Sequence, residues 1–199
     1  MNSPVELPSF PEGYSLTTTR LSLRTPCSED VEALWPHVTD SRLATFLAWE
    51  PHQNQDETRS MIAALVDAQT LGKGFHWVVL RGDMVVGLVS LIDVRRTHRA
   101  WTWNRAELAY WIAPGAQGQG FATEAAEAVM RFAFGPLGLH KLAVYHAVDN
   151  PPSCRVVEKL GFRLVGDERE AFSKQGRWHD LRHYEMLQSE FETRHPSER

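Results

Sequence analysis

Ala113-Pro114-Gly115-Ala116-Gln117-Gly118-Gln119-Gly120-Phe121-Ala122-Thr123-Glu124 joins a segment that reads as a strand to one that reads as a helix. Residues 105–113 form the strand, which Pro114 and Gly115 end. Residues 123–134 form the helix, with Ala125, Ala126, Val129, Met130 and Ala133 on one face. The small residues Gly118, Gly120 and Ala122 let a ligand approach the backbone, and the start of a helix presents N–H groups with no partner inside it. Such a turn can hold a diphosphate without a lysine. Two familiar phosphate turns do not fit. A dinucleotide-binding G-x-G-x-x-G needs glycine where Thr123 stands. A P-loop needs Gly-Lys followed by Ser or Thr, and none follows. Taken alone, the turn is equally well explained by tight geometry that needs glycine and no ligand.

Upstream, residues 20–24 alternate polar and apolar, the period of a half-buried strand. Ser28 precedes Glu29 and Asp30 and reads as the N-cap of a helix carrying Val31, Leu34 and Trp35. A second helix spans residues 56–71 and ends at Gly72 and Gly74. Residues 75–80 and 84–94 form a hairpin about Arg81-Gly82-Asp83, and Gly87 marks a bulge or a close backbone approach. A loop containing Trp101 and Trp103 follows. Downstream, residues 141–148 read as a strand and 151–160 as a short helix closed by Gly161; residues 162–168 and 180–187 are closing strands. Residues 1–17 read as an extension, 18–188 as one domain, and 189–199 as a polar, mobile tail. Strands and helices in this order give a mixed-sheet α/β or α+β domain.

With 199 residues, 43% hydrophobic and 23% charged, the chain has the make-up of one globular domain. A formal net charge of −4 provides no overall field for nucleic acid. Cys27 and Cys154 form no CxxC pair, and His76, His179 and His183 form no recognisable ligand set, so no metal is expected. No signal-peptide pattern and no apolar run long enough to span a bilayer are evident, which places the expectation in the cytoplasm without a membrane partner.

Four segments together carry a resemblance. Gln117-x-x-Gly120-x-Ala122 resembles the Q/R-x-x-G-x-G/A acyl-CoA signature of the GNAT acetyltransferases. Glu107-Leu108-Ala109-Tyr110-Trp111 is similar to the strand before that signature, and Gly120-Phe121-Ala122-Thr123-Glu124-Ala125 to its RimJ/RimL-like branch. Asn150-x-x-Ser153 followed by Val157-Glu158-Lys159-Leu160-Gly161-Phe162 is similar to the second CoA-side segment. Thr19-Arg20-Leu21-Ser22-Leu23-Arg24 resembles that branch's first strand, so the likeness covers roughly residues 18–188.

The resemblance implies a mixed, mostly antiparallel sheet of six or seven strands with about four helices. Its two central parallel strands, here residues 105–113 and 141–148, splay apart and admit the pantetheine arm of acetyl-CoA. It implies that the backbone N–H groups of Gln117, Gly118, Gln119, Gly120, Phe121 and Ala122 meet the diphosphate, with Thr123 also among the cofactor-binding residues. Asn150 is implied to bond the pantetheine amide, and an N–H near Trp111 or Ile112 to polarise the thioester carbonyl. Transfer to an amine needs a base, an oxyanion donor and a proton for the leaving thiolate. Glu107 stands where many members place a catalytic glutamate; the bland alternative is an exposed or salt-bridged strand residue. The usual tyrosine acid, seven residues after the asparagine, is Val157 here. In the RimL-like pattern a serine three residues after it substitutes, and Ser153 matches; the equal alternative is a helix cap. Cys154 is expected to pack rather than carry an acyl group. His146 is expected to be an ordinary strand residue; Asp180 and Tyr184 are weaker candidates for the acceptor side. Trp49, Trp101 and Trp103 are packing residues that could instead wall an acceptor pocket or form a homodimer contact.

The expected function is therefore N-acetyl transfer from acetyl-CoA to a primary amine, with a protein N-terminal α-amine of the ribosomal-protein type favoured as acceptor. Small amines (polyamine, amino acid or antibiotic), succinyl-CoA as donor, and an acyl-CoA-binding sensor without turnover remain alternatives. A nucleotide-binding protein is the fallback if the glycine turn has another use.

Overall fold

The computed structural model describes residues 14–196. The sheet has eight strands: β1 (Leu16–Thr17), β2 (Ser22–Arg24), β3 (Phe75–Arg81), β4 (Met84–His98), β5 (Trp101–Ile112), β6 (Lys141–Ala147), β7 (Arg163–Lys174) and β8 (Arg177–Leu187). Six α-helices accompany it among the described residues: α1 (Val31–Val38), α2 (Ser41–Ala44), α3 (Gln55–Thr70), α4 (Phe121–Phe134), α5 (Pro151–Leu160) and α6 (Gln188–Arg194). Strand order is β1-β2-β3-β4-β5-β6-β8-β7, and every pair is antiparallel except β5 with β6. This is the mixed, mostly antiparallel sheet that the resemblance implied, with one short strand and two helices more than its outline.

Alternation along the strands sends side chains to two cores. On one face Val89, Leu91, Ala106 and Leu108 pack against Ala125, Ala126, Val129, Met130 and Ala133 of α4, the residues whose spacing marked that helix. On the other, Leu88 and Trp111 pack with Val31, Leu34, Val38 and Ile62 from α1 and α3. Glu107 has the parity of Trp111 and so shares the α1/α3 face, whereas Tyr110 shares the parity of Leu108 and faces α4 and α5. Gly87 fulfils both readings offered for it. The β3–β4 register shifts beside it, and a Cβ there would lie 2.4 Å from the Trp111 carbonyl oxygen.

The parallel pair holds only at Arg105↔Lys141, Ala106↔Leu142 and Glu107↔Ala143. Beyond it, β5 continues paired with β4 alone and β6 with β8 alone, so the sheet opens on the C-terminal side of Glu107. The Ala113 N–H donates to the Val86 oxygen at 2.8 Å. By alternation the Trp111 N–H also belongs to the β4 ladder, and the polar groups of Tyr110 and Ile112 face the opening.

Several local expectations need correction. Ser28 is not an N-cap: residues Ser28–Asp30 form a 3-10 turn in which the Cys27 N–H donates to Asp30 Oδ2 at 2.8 Å. Trp101 and Trp103 lie in β5, not in a loop, because β4 and β5 run on to a tight hairpin where Arg99 takes φ 54°. Residues 16–17 belong to the sheet, while the extension before residue 14 lies outside the described residues. The polar tail begins with a helix: α6 buries Phe191 on Phe134 at 5.1 Å between ring centres, and the Glu190 carboxylate accepts from the Leu187 N–H at 2.9 Å. Among the described residues, no helix is long and apolar enough to cross a membrane.

Candidate active site

Gly118 and Gly120 have φ of 76° and 83°, in the left-handed region where a side chain is strained. A Cβ at Gly118 would meet nothing within 4 Å, so backbone conformation rather than crowding demands that glycine. Gly120 caps α4 without a side-chain acceptor, leaving the first N–H groups of the helix for an anion. Gln117 Nε2 donates to the Ile112 carbonyl at 2.9 Å, tying the turn to the open edge of β5.

A clamp from the turn between β1 and β2 holds this glycine turn. Thr18 Oγ1 donates to Glu124 Oε1 at 2.6 Å, and Arg20 Nε to Glu124 Oε2 at 2.7 Å. Arg20 Nη1 also donates to the Gln119 carbonyl at 3.0 Å, and its guanidinium lies 4.8 Å from the centre of the Phe121 ring. Gln119 Oε1 accepts from Arg81 at 3.4 Å, so its side chain turns away from the cavity that its neighbours line. Phe121 is buried. Sequence placed Arg20 in a strand but gave neither Thr18 nor Arg20 a role at this turn; the available signal was the acidic Glu124 in the first turn of α4, a group able to accept from both.

Two cavities meet at the opening between β5 and β6. One, of about 370 Å³, is lined by Gln117, Gly118, Gly120, Phe121, Ala122 and Thr123, together with Arg155 and Lys159 of α5. The other, of about 710 Å³, is lined by Glu107, Trp49, Met61 and Phe172 among others. Tyr110, Trp111, Asn150 and Ser153 line both, and Ile112 lines the first. Arg155 and Lys159, one helical turn apart, bring positive charge that the sequence reading did not assign.

Burial, with a smaller contribution from the Asp93 charge, raises the Glu107 carboxyl to about 7. Among the described residues it has no ion-pair or hydrogen-bond partner, so the salt-bridged alternative is not what the structure holds. A partly buried carboxyl near 7 is poised to exchange protons at neutral pH.

At the start of α5 the Asn150 carbonyl oxygen Oδ1 accepts from the Ser153 N–H at 3.3 Å. Asn150 is thus the helix cap, which releases the Ser153 hydroxyl for another partner. That partner is Tyr110: its hydroxyl lies 3.0 Å from Ser153 Oγ. Burial lifts Tyr110 to about 12, so it keeps its proton at neutral pH. Tyr184 reaches the same helix from β8, 3.7 Å from Cys154 Sγ, and burial raises it to about 12 as well. Val157, where the family tyrosine was missed, is buried in the core. Tyr110 is the residue that sequence reasoning overlooked. Its signal was a lone hydroxyl on a strand face otherwise made of Ala106, Leu108 and Ile112.

His146 is buried, bonds its own neighbour's carbonyl through Nδ1 at 2.8 Å and stacks on Tyr184. Trp49 lines the larger cavity. Trp101 and Trp103 sit at the far hairpin, where Trp103 lies 4.2 Å from the Arg105 guanidinium. Asp180 accepts from the Glu170 N–H at 2.8 Å, a hairpin contact.

Comparison with known proteins agrees with this geometry. Residues 20–163 match the family model described as the acetyltransferase (GNAT) domain. The chain is 27% identical over 174 residues to YoaA of Bacillus subtilis (strain 168), named an uncharacterized N-acetyltransferase, covering 86% of this chain and 96% of that one. It superposes with a TM-score of 0.81 on RimL, the ribosomal L7/L12 α-N-protein acetyltransferase in complex with coenzyme A, at 23% identity over 87% of this chain and 98% of the other. The spermidine N-acetyltransferase from Vibrio cholerae, in complex with CoA and spermine, gives a TM-score of 0.76 at 27% identity, over 87% and 99% of the two chains. A glycine turn under a helix, a sheet opened beside it and a family match across both make this chain a member of the GNAT acetyltransferases, an acyl-CoA-dependent N-acetyltransferase.

Proposed function

We propose that the chain moves an acetyl group from acetyl-CoA to a primary amine bearing a single charge, as the α-amine of a polypeptide does. One observation carries the reading: the cavity under the glycine turn and the cavity holding Glu107 share Tyr110, Trp111, Asn150 and Ser153 at the opening between β5 and β6. A donor lying along the turn and an acceptor beside Glu107 would meet there.

The residues fit such a donor. Left-handed glycines and an uncapped helix start present the amides of residues 118–123, the Gln117 N–H being turned to the Pro114 oxygen at 3.4 Å, and Arg155 and Lys159 add charge for phosphate. Acetyl-CoA supplies an acyl group activated as a thioester. The Ile112 N–H, directed into the opening, is the oxyanion donor; the Trp111 N–H belongs to β4, and its indole lines the wall. Glu107, ionised, takes a proton from the acceptor ammonium and frees the nitrogen lone pair. The Ser153 hydroxyl, backed by the Tyr110 hydroxyl, hydrogen-bonds the sulfur and relays to the departing thiolate the proton that the attacking nitrogen gives up as the amide forms. Asn150 orients this pair by capping α5. The fold shared with RimL, whose name gives a protein α-amine, supports the acceptor class. Thiol release from acetyl-CoA tests the reading against a panel of peptides and small amines. Release that needs an amine is expected, whereas CoA binding without release by any amine would leave a sensor.

A further inference from the structure

We infer that the acceptor carries one ammonium group on a bulky apolar body, aromatic or branched, and is not a polyamine. The inference rests on the acceptor side of the site proposed above and narrows it. The cavity of about 710 Å³ is walled by Phe46, Trp49, Met61, Leu65, Ile92 and Phe172. Among its described lining residues the only carboxylates are Glu107 and Glu50. Glu50 is directed to solvent, its side chain 65% exposed, and lies 4.0 Å from Lys174 Nζ. That leaves Glu107 as the one anion facing the interior.

Lys174 brings positive charge to the lining of the same cavity. Its side chain is only 9% exposed. Its ammonium donates to the carbonyls of Ala44, of Leu47 at 2.6 Å and of Trp49 at 2.9 Å. These bonds strap the end of β7 to the segment that presents Phe46, Leu47 and Trp49, and they fix a positive charge in the cavity wall. A second or third ammonium of a polyamine would find no free carboxylate and would meet Lys174. One ammonium at Glu107, with an aromatic or branched body against Trp49, Met61 and Phe172, matches the single free carboxylate and the apolar wall, with Ser90, Tyr145 and His146 among the other polar groups on the lining.

The test measures kcat/KM by thiol release with saturating acetyl-CoA. Free 2-phenylethylamine and isoamylamine form one arm, peptides beginning with Phe or Leu a second, and spermidine, spermine and glycine-first peptides a third. At least a tenfold advantage of an apolar arm over the third is expected, and the better of the first two identifies the source as a free amine or a chain terminus. Leu65→Glu adds a carboxylate to the apolar wall at a half-buried position of α3, with an unchanged Tm as the check that it folds, and should move the ratio at least fivefold toward spermidine. Polyamines preferred or equal to apolar amines, or a ratio unmoved in Leu65→Glu, would overturn the inference and leave the acetyltransferase reading intact. Failure of every amine in the three arms to give release, despite CoA binding, would overturn both.

Discussion

At the scale of single residues, Glu107 makes two opposed demands on the chain. Burial holds its carboxyl at about 7, which suits a base but costs stability once the group is charged. With its folded value above the ordinary 4.5, the folded chain keeps a proton that the unfolded chain has lost. Stability therefore falls as pH rises from about 4.5 to about 7 and stays lower above. Glu107→Gln should raise Tm at pH 8 relative to the parent and leave it nearly unchanged at pH 4; an equal Tm at pH 8 would show the carboxylate is not buried at a cost. The same variant should lose about 10²–10³ in kcat with CoA affinity retained. In the parent, kcat/KM for the amine should rise through a limb near 7 that is missing from the variant, whose profile keeps only the titration of the amine. Tyr110→Phe removes the partner of the Ser153 hydroxyl and should lower kcat about tenfold without weakening CoA binding. Glu107 was legible because it sits at a position the family resemblance marks. Tyr110 was not, because the resemblance pointed to the position of Val157, and a contact between β5 and α5 leaves no trace in local spacing.

Among the elements, the strand–turn–helix from β5 to α4 read almost completely from sequence, since periodicity and glycine conformation are local properties. What holds it was hidden: Thr18 and Arg20 lie about a hundred residues before Glu124 and Gln119, and only the fold brings them together. Arg20→Ala should therefore weaken CoA binding severalfold although Arg20 is bound to protein groups in the structure. Titration calorimetry with CoA measures this, and an unchanged Kd would show that the turn keeps its shape unaided. Gly120→Ala places a side chain at φ 83°, with a predicted cost of about 1 kcal/mol and a looser turn. The hairpins were under-read for a related reason. Trp101, Trp103 and Lys174 extend β5 and β7 beyond their apolar alternation, and cross-strand pairing, not pattern, decides where a two-stranded arm ends.

For the whole molecule, two cores on opposite faces hold the sheet, and the site lies where neither closes it. The segment after β8 was misjudged because Phe191 is the single apolar residue of α6, too few for a period; burial against Phe134 makes it part of the core. Phe191→Ala should cost about 3 kcal/mol in urea unfolding. A midpoint equal to the parent's would return that segment to a passive tail. The central claim is that one ligand threads from the glycine turn to Glu107 through the parted strands. A crystal structure of the chain with acetyl-CoA bound tests it most directly. The diphosphate should sit on the amides of residues 118–123, with the thioester beside Ser153 and Tyr110 and its carbonyl toward the Ile112 N–H. Density for the ligand anywhere else, or β5 and β6 closed over an empty opening, would contradict the account.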